Sequence, residues 1–345
     1  MRILFVDSGA GGFHSRYAYD IYNTLINSYG SSIKDISPQD LSYQVINFYK
    51  PDVLLVVHGS RTPLNLIRYA KSHGSITVLW IVEDPYEIDY HRGAMVNTYD
   101  CVFTNERLAL KEYSHPRAFY LPWCCNPRIH RRIMVSNHYL SDICFVGMGF
   151  VNRVNTLNAI VPTLKKYNVK LIGDWNRWGA ELHPDLQRFT IPVVNNFLEV
   201  QKYYNGAKIN LNIHRDPVNP PAGNSKGIKA SSPNDRAFAL AGCGVFQLVD
   251  NTRPDLWECF EEGKEIVSFS DPADLAAKIE EFIPKQEKRE AIGRAAQNKA
   301  YQLHTFKHRL DKIFQIICLQ NNYTNVRYNQ PVYRNSYKIY DLSSR

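Results

Sequence analysis

Two segments of the sequence carry residues that could hold a phosphate group. The first is SGAGGF, Ser8 to Phe13, a glycine-rich turn between an apolar strand and a helix. Gly11 and Gly12 would let the backbone approach a ligand closely, because glycine has no side chain. A tight turn without a ligand explains the same glycines equally well. The full Gly-x-Gly-x-x-Gly pattern is absent, so the loop gives little support to an NAD-dependent dehydrogenase.

The second segment is SSPNDRAFALAGCGVFQLVD, from Ser231 to Asp250. It predicts a helix with Ser232 as N-cap and Pro233 in its first turn, which ends at a glycine before a buried strand. The free amides and the positive end of the helix dipole would attract an anion. Arg236, in the same turn, could bind a diphosphate with both arms of its guanidinium. Taken alone, the segment is more typical of a capped structural helix without a ligand.

Polar residues at predicted strand ends supply candidates for proton transfer. These ends carry Asp7-Ser8-Gly9, His58-Gly59, Glu83-Asp84-Pro85 and Thr104-Asn105-Glu106. In a parallel α/β sheet, ligands bind beyond the carboxyl ends of the strands, so these residues are expected near a ligand. His14, beside the glycine loop, could act as a general base, although a single histidine is more often structural.

The elements that would position these residues alternate between strands and helices. In the first half, the apolar strands RILFVD, PDVLLVVHG and SITVLWIVED are separated by segments of helical periodicity. The polar, basic stretch NPRIHRRIMVSNHYLSD interrupts the pattern, which restarts with DICFVGMG, VKLIGD and KINLNIH. Strands that are apolar on both faces predict mainly parallel sheets covered by helices. We therefore expect two α/β units in tandem, with a cleft between them.

Composition narrows the possible functions. The 345 residues carry a net charge of +8 and a pI near 9.0, which favours binding to nucleotide diphosphates, nucleic acid or an anionic membrane surface. The seven cysteines form no Cys-x-x-Cys pair, so free, buried thiols are expected. A secretion signal and a membrane-spanning apolar run are not found, and a cytoplasmic protein is predicted. Kinase, protease and hydrolase motifs are missing, as is a metal-binding Asp-x-Asp pair at a strand end.

The run NDRAFALAGCGVFQLVDNTRPDLWECFEEGKEIVSFSDPADLAAKIEEF, with the later HTFKHRL, resembles the CgeB-like glycosyltransferases, a spore maturation protein group with a GT-B fold. The upstream segments DICFVGMGFVNR, AKINLNIHR, WIVEDP and YLPWCCNP resemble the same family. Together these segments cover most of residues 1 to 315. The matching positions are Gly147, Arg153, Arg236, Phe238, Cys243, Gly244, Pro254, Phe260, Gly263, Lys264, Asp271 and Pro272.

This resemblance implies an α/β fold of the GT-B type, in which two Rossmann-like domains face each other across a cleft. Residues 1–135 would form the acceptor-side domain and residues 136–315 the donor domain, whose last helix could pack back on the first domain. Residues 320–345 would form a tail. The implied activity is metal-independent transfer of a sugar from a nucleotide-diphosphate sugar, foremost a UDP- or TDP-sugar, without a further cofactor. The acceptor, whether glycan, protein or small molecule, is left open, as is retention or inversion at the anomeric carbon.

The resemblance also implies residue roles. Asp84 or His14 would activate the acceptor hydroxyl, although Asp84 could instead cap the turn before Pro85. Arg153 and Arg236 would neutralise the diphosphate as it leaves, and Lys208 or Lys226 could assist. The predicted donor-binding residues are Gly11, Gly12, Gly147, Arg153, Lys208, Asn234, Arg236 and Phe238.

Ala239 departs from the family pattern. The family places a glutamate there, and related retaining GT-B enzymes use that carboxylate on the donor ribose. The alternative is therefore a non-catalytic GT-B-fold protein that binds a nucleotide or acts as a scaffold. The basic charge also leaves open a glycosyltransferase that acts on nucleic acid, although aromatic residues interleaved with a basic groove are few.

Overall fold

The computed structural model describes residues 1–10, 13–30, 32–175, 178–218 and 223–320, and their side chains except those of residues 13–15, 319 and 320. Six parallel strands form the first sheet, in the order β2-β1-β3-β4-β5-β6. They are β1 (Ile3–Val6), β2 (Ile33–Ile36), β3 (Val53–Val57), β4 (Ile76–Ile81), β5 (Cys101–Thr104) and β6 (Ala118–Tyr120). The central strands β1, β3 and β5 are buried along their whole length, as expected for a sheet covered on both faces.

Short helices connect the strands of the first sheet. They are α1 (Phe13–Tyr29), α2 (Tyr43–Tyr49), α3 (Leu64–Ser72), α4 (Ile88–His91) and α5 (Ala94–Thr98), followed by a 3-10 helix at Arg107–Glu112. Helix α2 shows why such elements begin and end where they do. The Ser42 hydroxyl accepts a hydrogen bond from the Val45 amide at its start, and Lys50 adopts the left-handed conformation at its end.

The second sheet also has six parallel strands, in the order β12-β11-β10-β7-β8-β9. They are β7 (Ser141–Val146), β8 (Val169–Ile172), β9 (Thr190–Ile191), β10 (Ala207–Asn212), β11 (Gln247–Asp250) and β12 (Val267–Phe269). The helices are α6 (Val151–Ala159), α7 (Val161–Leu164), α8 (Pro184–Gln187), α9 (Phe197–Gly206), α10 (Asp235–Cys243), α11 (Leu256–Cys259), α12 (Pro272–Phe282), α13 (Gln286–Leu303) and α14 (Phe306–Gln320), with a 3-10 turn at Asn137–Tyr139.

Each sheet reverses its strand order once. In the first sheet the chain leaves β1 for β2 on one side and then continues with β3 on the other. In the second sheet the reversal lies between β7 and β10. Crevices at the carboxyl ends of such strand pairs are the usual ligand sites of open parallel sheets.

The two sheets are joined by a shared core and by the last helix. Phe5 and Trp80 of the first sheet belong to the same buried apolar cluster as Phe238 of α10 and Phe314 of α14. Helix α14 contacts α1, and the hydroxyl of Tyr29 donates a hydrogen bond to Asp311 over 2.6 Å. Within the described part of the chain, no helix combines the length and apolar character needed to cross a bilayer.

Three elements differ from the sequence-based expectation. The helical periodicity of the sequence predicts one helix from about Arg153 to Lys166, but this helix is broken at Ile160, after which a separate turn begins at Val161 with Pro162 in it. The sequence likewise predicts a single helical stretch from Gln286 to Leu319, which is divided by His304 into α13 and α14. Strand β2 was not predicted, because IKDI is only four residues long and its two middle residues, Lys34 and Asp35, are polar and exposed.

The cysteines give a first test of this packing. All seven are free; six are buried, and Cys318 is half-buried. Burial raises the pKa of Cys101 to about 11 and that of Cys243 to about 12, so these thiols are un-ionised near neutral pH. We expect brief alkylation at pH 8 to label Cys318 at most in the folded protein and all seven after unfolding, as counted by mass spectrometry. Rapid labelling of Cys243 in the folded protein would contradict this packing.

Candidate active site

Helix α10 begins at the carboxyl edge of the second sheet. Its N-cap is Asn234, whose side-chain oxygen accepts a hydrogen bond of 3.0 Å from the amide of Ala237. The Asn234 amide group donates to Oδ1 of Asn212 at the end of β10, over 2.8 Å. The predicted N-cap Ser232 is wrong: its hydroxyl instead donates to Asp255. Asparagine is as good an N-cap as serine, and Asn234 is the residue that directly precedes the first helical residue, Asp235.

Arg236, in the first turn of α10, lies beside Gly147 at the end of β7. Its Nη1 donates to Oδ1 of Asn212 over 3.3 Å, and its guanidinium lies 4.9 Å from the centre of the Phe145 ring. A β-carbon on residue 147 would lie 2.4 Å from Nη2 of Arg236. Glycine at 147 therefore leaves the room that the guanidinium occupies.

Arg153 of helix α6 approaches the same place from the other side. Its Nε donates to the carbonyl of Ile213 over 2.9 Å, and its Nη1 donates to the carbonyl of Met148 over 3.1 Å. Its guanidinium lies 5.0 Å from the centre of the Phe150 ring. Nη1 would be 3.3 Å from a β-carbon at Gly147, so the two predicted arginines do converge on this glycine.

Two further arginines, not predicted from the sequence, complete this group. Arg215 lies over the rings of Phe150, at 4.4 Å, and Tyr86, at 4.6 Å. Arg253 donates to the carbonyl of Arg215 over 2.6 Å. We call Arg153, Arg215, Arg236 and Arg253 the arginine cluster. Because Tyr86 belongs to the first domain, the cluster faces the cleft between the two sheets.

The arginine cluster concentrates positive charge in a buried place. Burial, and then the neighbouring charge of Arg236, hold the pKa of Arg153 well below its usual range. Among the described residues, Arg153, Arg236 and Arg253 form no ion pair with a carboxylate, and Nε of Arg253 has no hydrogen-bond partner. Buried cations normally require a compensating anion. The cluster is therefore suited to bind one.

One carboxylate near this cluster, Asp250, is already engaged. Asp250, at the end of β11, accepts hydrogen bonds from the backbone amide of His214 over 2.5 Å and from its Nδ1 over 3.0 Å. Although burial opposes it, this contact with His214 and a hydrogen bond from Thr252 hold the pKa of Asp250 far below its usual value. Asp250 thus fixes the loop after β10 and forms no ion pair with the arginines.

The carboxyl edge of the first sheet carries acidic and imidazole groups. Glu83 follows β4, and burial, then the nearby charge of Glu87, raise its pKa to about 8. His58 follows β3, and its Nε2 lies 3.1 Å from a carboxylate oxygen of Glu87. The charges of Arg215 and Asp235 in the second domain also act on Glu83. Glu83 therefore lies within electrostatic range of the second domain.

Asp84 was predicted as a catalytic residue, but its side chain is occupied within the first domain. It is 1% exposed, and the Asp84–Pro85 peptide bond is cis. One carboxylate oxygen lies 2.9 Å from Nδ1 of His91, and the other accepts hydrogen bonds from Thr104 over 2.6 Å and Tyr113 over 2.5 Å. These contacts leave no route for Asp84 to touch an acceptor directly, so we correct its role to that of a positioning residue.

The remaining predicted residues have different outcomes. Gly11 and Gly12 lie outside the described residues, and His14 is in α1 but its side chain is not described. Lys208 lies at the amino end of β10, paired with Asp142 over 2.7 Å. That edge of the sheet is opposite to Arg236, so Lys208 does not join the site. Lys226 pairs with Glu112 on an exposed surface over 2.5 Å.

Two positions of helix α10 lie in the core. Phe238 is fully buried against Phe260 and His304, at ring distances of 5.5 and 5.4 Å. It positions the helix and does not reach the cleft, which corrects its predicted contact with the donor. Ala239 packs with Tyr204 and other apolar residues. A small side chain fits there.

Glu106 closes the interface of the two domains beside the site. Its carboxylate is 1% exposed and accepts hydrogen bonds from the Ser231 amide and hydroxyl and from the amides of Ser232 and Leu108, over 2.8 to 3.2 Å. Asp255 adds bonds to both serine hydroxyls. The segment that leads into α10 is therefore held by the first domain. The sequence showed Glu106 at a strand end but gave no sign of this role.

Comparison with known proteins agrees with this arrangement. Residues 153–315 match the family model described as glycosyl transferase-like. The chain is 27% identical over 316 residues to spore protein CgeB of Bacillus subtilis (strain 168). The match covers 89% of this chain and 95% of that protein. The similarity to CgeB that the sequence motifs indicated is confirmed, and the match of residues 153–315 supports the assignment as a glycosyltransferase.

Solved structures share the fold at low sequence identity. A glycosyltransferase from Rickettsia africae superposes with a TM-score of 0.62 and 13% identity, covering 93% of this chain and 99% of that one. Anabaena HepE, in complex with UDP and glucose, superposes with a TM-score of 0.60 and 12% identity, covering 92% and 100%. With the two parallel six-stranded sheets, these similarities confirm the predicted α/β fold of the GT-B type.

Proposed function

We propose that the chain transfers a sugar from a nucleotide-diphosphate sugar, and that the arginine cluster binds the diphosphate. The observation that carries this proposal is the group of guanidinium ions at the carboxyl edge of the second sheet, three of which are buried and have no carboxylate partner among the described residues. The first turn of α10 adds backbone amides and the positive end of its dipole. A diphosphate supplies the negative charge that this place lacks.

The same charges would act during the reaction. Negative charge grows on the diphosphate as the bond to the sugar breaks, and fixed cations in a water-poor site stabilise it. Arg236 and Arg153 approach Gly147 from two elements, so they can hold oxygens of both phosphates. Because the guanidinium ions supply this neutralisation, we propose that donor binding does not require a divalent metal ion.

The acceptor would enter against the carboxyl edge of the first sheet. Glu83 follows β4 at this edge, and the charge of Arg215 in the second domain acts on it. We expect it to contact the acceptor or the transferred sugar, in the place first predicted for Asp84. His14 stays a proposed catalytic residue. The acceptor stays predicted only by its chemical class, which is a glycan, a protein or a small molecule.

Calorimetric titration of nucleotides in the presence of EDTA tests donor binding. UDP is the first nucleotide to test, because HepE has been solved with UDP, and TDP and GDP complete the panel. The proposal predicts saturable binding of at least one nucleoside diphosphate, and much weaker binding of the matching monophosphate. Equal affinity for the diphosphate, the monophosphate and the nucleoside would contradict it.

Ala239 supports a second candidate, a protein that binds the nucleotide without transferring sugar. The position holds a methyl group among apolar neighbours, so it supplies no carboxylate for the ribose hydroxyls. Release of UDP from UDP-glucose or another UDP-sugar, followed by a coupled assay, separates the two candidates. Donor binding without any release of UDP, with or without candidate acceptors, would favour the non-catalytic protein.

Gly147→Ala gives a steric test of the arginine cluster. The added methyl group would lie 2.4 Å from Nη2 of Arg236, so the guanidinium must move away from its position. We expect nucleotide affinity, measured by calorimetry, to fall at least tenfold, because one bidentate contact is lost. The melting temperature serves as the control for folding. Unchanged affinity in a folded variant would show that Arg236 is not placed by this glycine.

A further inference from the structure

A second group of polar side chains lies in the first domain, between the end of β3 and helix α4. His58, Glu87 and His91 each offer one metal-ligating atom, and these atoms all lie within 4.8 Å of one another. We propose that these three residues bind a divalent transition-metal ion, with Zn²⁺ as the ion of best fit. Two imidazoles and one carboxylate are a common ligand set for zinc sites that keep a fourth position open.

His91 carries the strongest part of this inference. Its ring is fully buried, and Nδ1 lies 2.9 Å from Oδ1 of Asp84. In the neutral tautomer that donates its Nδ1–H to Asp84, Nε2 carries a lone pair. That nitrogen has no hydrogen-bond partner among the described residues. A buried polar atom without a partner is costly, and a metal ion at Nε2 would remove the cost.

The contacts of Asp84 resemble the outer shell of a metal site. Histidines that bind metals usually donate their other nitrogen to a carboxylate, which fixes the ring and its tautomer. Here Asp84 is itself held by the hydroxyls of Thr104 and Tyr113. In this arrangement the buried Asp84 orients His91 for metal binding. Its burial gives it no comparable role in catalysis at the cleft.

His58 is placed by an unusual backbone conformation. Its φ is +64°, in the left-handed region that non-glycine residues rarely adopt. Its amide donates to the carbonyl of Trp80 over 2.8 Å, which ties the end of β3 to β4. In this conformation Nε2 of His58 lies 3.1 Å from Glu87. His58 therefore adopts an unfavourable backbone conformation that brings its imidazole next to Glu87, and such strain is typical of functional sites.

The distances and charges are compatible with a bound cation. Zinc bonds of about 2.0–2.1 Å in a tetrahedral site place ligand atoms roughly 3.4 Å apart. The 3.1 Å separation of His58 Nε2 and the Glu87 carboxylate oxygen is already close to that value, and all three ligand atoms lie within 4.8 Å of one another. The carboxyl group of Asp84 lies against His91, and the Glu87 side chain is 33% exposed, which gives an ion a route of entry.

The test uses the full-length chain without a histidine tag. Co²⁺, a spectroscopic substitute for Zn²⁺, is titrated while visible absorption is recorded, and Zn²⁺ content is measured after loading and dialysis. We expect one ion per chain in the wild type and none in His58→Ala/His91→Ala. Exposed His73 provides the matched control His73→Ala, which should keep the full stoichiometry. Asp84→Asn should weaken binding 10- to 100-fold.

Two results would overturn the metal site. One is a wild type that binds less than a tenth of an equivalent at micromolar Co²⁺ or Zn²⁺. The other is an unchanged stoichiometry in the double variant. If that variant does not fold, Glu87→Gln replaces it, because its half-exposed side chain tolerates the change and its loss of charge should lower affinity at least tenfold. Nucleotide binding is measured on the same samples, so that a failure of the metal site is distinguished from a failure of diphosphate binding by the arginine cluster.

Discussion

Replacing Arg236 with alanine is expected to lower nucleoside diphosphate affinity by about 100-fold or more. Each charge-assisted hydrogen bond to phosphate contributes about 1.5–3 kcal/mol, and a guanidinium can form two. Sugar transfer should fall at least as much, because the leaving diphosphate gains charge in the transition state. The measurements are calorimetry for binding and release of nucleotide for transfer. Stability should change little, because Arg236 forms no ion pair with a carboxylate among the described residues.

Arg289→Ala is the matched control for this change. Arg289 is as buried as Arg236, at 7% against 8% exposure, and its guanidinium binds the carbonyls of Phe282 and Ile283 away from the cleft. Its loss should affect stability but not nucleotide affinity. Arg236→Lys should recover only part of the affinity, because lysine keeps the charge but not the planar fork. Equal losses of affinity in Arg236→Ala and Arg289→Ala would exclude a diphosphate contact for Arg236.

Replacing Glu106 with alanine is expected to lower the free energy of unfolding by about 3 kcal/mol or more. The change leaves the buried amides of Ser231, Ser232 and Leu108 without their acceptor, and each unsatisfied group costs about 1–3 kcal/mol. Chemical denaturation measures this loss. Because the same segment leads into α10, nucleotide affinity should also fall in the variant under conditions where it stays folded.

Glu112 provides the control for Glu106. It lies on the same stretch of chain but pairs with Lys226 at an exposed surface. Glu112→Ala should change the free energy of unfolding by less than about 1 kcal/mol, as is usual for surface ion pairs. A Glu106→Ala variant as stable as Glu112→Ala would contradict the role of Glu106 in joining the two domains.

Much of the fold was predictable because parallel strands buried on both faces are continuous apolar runs. RILFVD, PDVLLVVHG and SITVLWIVED became β1, β3 and β4, and the restarted pattern became the second sheet. Strand β2 was missed because it lies at a sheet edge and its two middle residues are exposed. The division between α13 and α14 was missed because the turn at His304 depends on long-range contacts, including the hydrogen bond between the Cys125 amide and the His304 carbonyl.

The candidate site was predictable in part. Arg236, Arg153 and Gly147 were predicted from motifs, and the structure brings them together. Lys208 was misplaced because a lysine near a strand gives no sign of which end of the strand it occupies. Arg215 was missed because its position depends on the loop after β10 and on the approach of Tyr86 from the other domain. Such contacts leave no local pattern in the sequence.

The central claim is that the arginine cluster recognises a diphosphate. Calorimetric titration of UDP into the wild type and into Arg153→Ala/Arg236→Ala, both in EDTA, tests it most directly. The cluster predicts saturable binding of UDP to the wild type and at least a 100-fold loss in the double variant with its fold intact. Undiminished UDP binding by the folded double variant would contradict the claim.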